Sequence, residues 1–66
     1  MEKNEALVEF TVKMMREDIL IWEGKIMATG PQQAADMAAE HTGGKAEIAM
    51  VWHPHWPSTP FIISTV

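Results

Sequence analysis

The 66 residues predict a small α+β domain, a mostly antiparallel sheet of three to four strands in the order β-β-α-β-β with one helix packed on one face. Three observations carry this expectation. Apolar and polar residues alternate with period two from Ala6 to Met15, the pattern of a half-buried strand. Only one stretch, about 31–42, has apolar residues at spacings of three and four. That stretch is bracketed by Pro31, which suits the first helical position, and by Gly43-Gly44, which suits a helix stop.

The elements follow in order. Residues 1–5 are polar and expected to fray. The first strand is placed at about 6–15, with Val8, Phe10, Val12 and Met14 inward and Glu9, Thr11 and Lys13 outward. Arg16-Glu17-Asp18 lacks the Asn-Gly signal of a two-residue hairpin, so a slightly longer turn is expected. The second strand is placed at about 19–29, with Leu20, Trp22, Ile26 and Ala28 inward and Ile19, Ile21, Glu23, Lys25 and Met27 outward. Gly24 within it marks a bulge or a close approach.

In the helix, Ala34, Met37, Ala38 and His41 form the expected buried stripe, capped by Thr29 or Gly30. A stripe of small residues lets the helix lie close to bulky sheet residues, here Phe10, Trp22 and Trp52. The third strand is placed at about 45–53, with Ala46, Ile48, Met50 and Trp52 inward and Glu47, Ala49, Val51 and His53 outward. Residues 53–60 carry Pro54, Pro57 and Pro60, a spacing that puts three prolines on one edge of a polyproline II connector. A last short strand is placed at 61–65.

Composition narrows the function. A chain of this length is one domain, without cysteine and so without disulfides or thiolate chemistry. No run reaches the ~20 apolar residues of a membrane span. The opening MEKNEALVEF lacks the apolar core of a signal peptide, so a cytoplasmic location and no membrane partner are expected. The net charge is −4 and the chain holds no basic block, which argues against nucleic acid held through phosphates.

The chemistry-bearing residues are few. No Gly-x-Ser-x-Gly elbow surrounds Ser58 or Ser64, and no pair of carboxylates sits in a context that raises a pKa. His53-x-His55 projects two imidazoles to one side, and His41 is the one further candidate ligand. The alternative is a solvated loop entry, with His41 placed at the helix end for the dipole. We therefore expect no enzyme activity, no metal and no cofactor. Pro54-x-x-Pro57-x-x-Pro60 reads either as a ligand for an aromatic-lined groove or as a stiff crossing loop.

One face alone makes a thin core for so short a chain, so a second buried surface is expected, from a protein partner or a homodimer. The candidate partner-binding residues are Ile19, Ile21, Glu23, Met27 and Val51 on the outer sheet face, with His53, His55 and Trp56 from the proline arm.

Two resemblances extend this reading. EFTVKM, a second strand and then ATGPQQAADMAAEH resemble part of a double-stranded-RNA-binding domain. That family begins its helix with a basic Lys-Lys-x-Ala-Lys, where this chain has Gln32-Gln33-Ala34-Ala35-Asp36. In size, acidity, lack of cysteine and layout, the whole chain resembles small phage or mobile-element proteins that inhibit bacterial defence, including anti-CRISPR proteins. That resemblance implies a phage-encoded protein-binding inhibitor of a defence complex, working in the host cytoplasm.

Overall fold

A computed structural model describes residues 6–66 as five elements: β1 (Val8–Arg16), β2 (Ile19–Ala28), α1 (Pro31–Thr42), β3 (Ile48–His53) and β4 (Trp56–Ser64). The strands form one sheet in the order β2-β1-β3-β4, every neighbouring pair antiparallel. α1 packs across one face, which gives the expected small α+β fold. Residues 1–5, expected to fray, lie outside the described residues.

β1 alternates as its sequence dictates. Phe10, Val12 and Met14 are buried beneath the helix, facing Ile26 and Ala28 of β2 and Ala49 and Val51 of β3 within one core. The helix begins with Gly30 as N-cap and Pro31 at the first position, where a missing N–H costs nothing. It ends at Gly43, whose φ of 62° is a left-handed conformation that only glycine adopts cheaply. Gly43 and Gly44 donate their N–H groups to the Glu40 and Ala39 carbonyls, which satisfies the last turn as in a Schellman motif. The buried Thr42 hydroxyl donates to the Ala39 carbonyl at 2.8 Å.

Five expectations are corrected. First, the buried helix stripe is Ala34, Ala35, Ala38 and Thr42, while Met37 is 41% exposed and His41 lies at the surface. Both stripes have helical spacing, and the one with less volume goes underneath because Phe10 and Met14 already fill the gap. Second, β3 has the opposite phase. Ala49 and Val51 face the helix, and Ile48, Met50 and Trp52 face away from it. Both faces of β3 are apolar, so alternation alone cannot choose; Met14 beside Ala49 and Val12 beside Val51 match volumes under the helix.

Third, the β1–β2 connection is a two-residue turn, with Arg16 opposite Ile19. Glu17 and Asp18 have φ of 51° and 66°, the left-handed pair of a type I′ turn, which matches strand twist without the usual glycine. Fourth, the partner of β1 jumps from Trp22 to Leu20, leaving Ile21 in a bulge. Leu20 thereby shares the outer face with Met15, and Ile19 shares the helix side with Arg16. Fifth, the proline segment is no polyproline connector. A two-residue turn at Pro54-His55 sets His53 opposite Trp56, and β4 starts there. That turn has no positive φ, unlike the primed turns whose twist matches paired strands, and the register beyond it is irregular. Residues 57–60 then stand against Trp52 alone before regular pairing resumes at Phe61. Pro57 and Pro60 are tolerated because β4 is an edge.

Candidate functional site

The helix leaves the second face of the sheet uncovered, and register fixes what lies on it. Residues opposite each other in antiparallel strands share a face, so one row across the sheet reads Leu20, Met15, Ile48, Ser64. The next row reads Glu23, Lys13, Met50, Ile62, and the next Lys25, Thr11, Trp52. Apolar side chains thus gather at one end of the outer face, with Ile62 the most open of that group at 60% exposed.

There the surface dips into a concavity of about 320 Å³. Its floor is Met15, Ile48, Met50 and Ile62, and its end wall is Glu17, Asp18 and Glu47. The two turn acids are placed there by the same type I′ geometry that joins β1 to β2. A second depression of about 280 Å³ lies between Thr11, Lys13, Trp52 and Pro57. Lys13 borders this second depression, 3.9 Å from the Glu23 carboxylate and 5.5 Å from the centre of the Trp52 ring.

The expected partner residues do not form one site. Ile19, Ile21, Glu23 and Met27 lie on β2, at one edge of the sheet, all exposed. His53, His55 and Trp56 lie at the tip of the β3–β4 hairpin, across β1 and β3 from them. Val51 is fully buried and meets no partner; the inverted phase of β3 moved it from the surface to the core. Glu23 and Met27 keep their expected place on the outer face, and Met15, Leu20, Ile48, Met50, Trp52 and Ile62 join them there. The sequence held one clue to them: Ile48 to Val66 contains no Lys, Arg, Asp or Glu.

The hairpin tip is an aromatic cluster. His53 packs edge-on against Phe10 at 5.4 Å and lies 4.7 Å from Trp56, centre to centre. His53 Nδ1 accepts the His55 backbone N–H at 3.0 Å, which ties up that nitrogen in the turn. His41 is elsewhere, stacked parallel on Trp22 at 5.0 Å. The three imidazoles do not converge, and among the described residues no group of three or more His, Asp or Glu side chains is placed to hold a metal ion. No helix among the described residues is long and apolar enough to cross a membrane. No protein-family model matches the chain, and no curated protein or solved structure does either.

Proposed function

We propose that the protein is a non-enzymatic binding module whose outer sheet face docks a protein partner. The observation that carries this reading is the concavity floored by Met15, Ile48, Met50 and Ile62 and walled by Glu17, Asp18 and Glu47. Methionine adapts its shape to a partner side chain, and a flat apolar floor excludes water around it. Three carboxylates at one end favour an apolar anchor with Lys or Arg beside it. The partner is therefore a protein with a basic, apolar-studded surface. The inhibitor role implied by the resemblance to anti-defence proteins belongs to the same proposal, since a net charge of −4 suits the basic sites of nucleic-acid-handling complexes. Direct nucleic-acid binding has less support. The first turn of α1 offers Gln32 and Gln33, with Asp36 just beyond, and no cation to a phosphate.

Met50→Glu tests the proposal. Met50 stands opposite Lys13, so the new carboxylate has a cation across the strands and the fold is retained. An anchor side chain contributes about 1.5–3 kcal/mol on burial, so affinity is expected to fall roughly ten- to hundredfold. The control is Met37→Glu on the exposed side of the helix. A partner captured by the wild-type chain and by Met37→Glu, lost by Met50→Glu and weakened by added salt, is the expected result. Equal capture by Met50→Glu would remove this face from the proposal.

A further inference from the structure

The edge strand β4 has two unlike halves. From Trp56 to Pro60 it is blunted: Pro57 and Pro60 have no N–H, and the register slip beside Trp52 interrupts the regular ladder. From Phe61 to Ser64 it pairs in regular register, Phe61 with Val51 through Ser64 with Ile48. The Thr65 N–H donates to the Glu47 carbonyl at 2.9 Å. Alternation then turns the N–H and C=O of Phe61 and Ile63 toward β3, and those of Ile62 and Ser64 outward. The other edge of the sheet, β2, carries Glu23 and Lys25 on either side of Gly24, the charges that keep an edge from pairing. No such charge guards β4.

We propose that this open half of β4 pairs antiparallel with the same strand of a second copy, about a two-fold axis at Ile63. The strand is complementary to itself in that register. Ile63 faces Ile63, Ile62 faces Ser64 of the second copy, and Phe61 faces its Thr65. Each Ile62–Ser64 pair exchanges two main-chain hydrogen bonds through groups that already point outward. The two sheets become one continuous sheet with both helices on the same side. A charged partner gains nothing from this strand, which has no charge to attract it. A second copy meets no like charge along it, although each chain carries −4. One short strand buries less than the ~800 Å² per partner of a typical stable interface, so the dimer dissociates on dilution.

Light scattering and sedimentation of the full chain, from about 1 mM to about 1 µM, test this. The expected mass approaches twice 7.4 kDa at the top and falls toward 7.4 kDa on dilution. Ile62→Lys and Ser64→Glu each weaken the dimer at least tenfold while keeping the wild-type melting curve. Mixing the two variants restores a dimer, because the new ammonium in one copy lies opposite the new carboxylate in the other. Met50→Glu, in the middle of the outer face, leaves the mass unchanged, so this dimer and the partner-docking face succeed or fail separately. A chain at 7.4 kDa throughout overturns the inference. So does a dimer that survives Ile62→Lys and Ser64→Glu, one that mixing does not rescue, or one that Met50→Glu abolishes.

Discussion

Trp22 lies flat across Gly24, two residues along the same face of β2, and its ring stacks on His41 of the helix. A methyl group at Gly24 would sit 2.7 Å from Cη2 and 2.8 Å from Cζ2 of that ring, closer than carbon atoms approach. The glycine is there for the indole, which covers a weak point of the strand and links it to the end of α1. Gly24→Ala is expected to push the ring aside and destabilise the fold by about 1–3 kcal/mol. For a domain of this size each kcal/mol is about 4–8 °C of melting temperature, and tryptophan fluorescence should report the displaced ring. By contrast, the Lys13–Glu23 pair is 3.9 Å apart with both side chains about half exposed, so it contributes at most about 1 kcal/mol. It defines the polar rim of the outer face more than it holds the sheet together.

At the scale of the element, two features set the architecture. The β1–β2 turn places Glu17 and Asp18 in left-handed conformations that L side chains adopt at a cost. The joint change Glu17→Asn and Asp18→Gly relieves it, and is expected to stabilise the hairpin by about 1 kcal/mol, read as a rise in melting temperature. The same change removes two of the three acids at the concavity, so it should weaken a salt-sensitive partner while the fold improves. The helix is the second feature. Ala34, Ala35 and Ala38 have no exposed surface, and the close approach they permit is what seals Phe10 and Met14. Ala38→Leu should cost about 1–3 kcal/mol through overpacking, although leucine is a good helix former. A neutral or stabilising outcome in thermal melts would show that α1 is loosely held.

At the scale of the whole molecule, the charge distribution divides the sheet. All fourteen charged residues, nine acids and five bases, precede Ile48, and the β3–β4 hairpin carries none. Half of the sheet is therefore solvated by its own charges on β1 and β2, and the other half presents Ile48, Met50, Trp52 and Ile62 with no such protection. An exposed apolar surface concentrated in this way favours association over solvation. The open outer face and the open end of β4 meet at Ile62, but they offer different things: one a floor for a side chain, the other main-chain hydrogen bonds for a strand.

Local patterning settled a good deal. β1 could be read residue by residue because Glu9, Thr11 and Lys13 break the tie between its two faces. The ends of α1 were legible because Pro31 and Gly43 act through their own backbone constraints. The single helix and the strand order in sequence followed from periodicity. Only tertiary structure decided the phase of β3, the rotation of α1 and the fate of the proline segment. β3 is apolar on both sides, so its orientation depends on which volumes fit beneath the helix. The rotation of α1 depends on the sheet residues already filling that space. Pro57 and Pro60 belong to a strand because an edge requires no donor on its open side, and nothing in the sequence alone says which strand will be the edge. Those choices moved Val51 into the core and brought Met50 to the surface, because they depend on contacts between residues far apart in the chain.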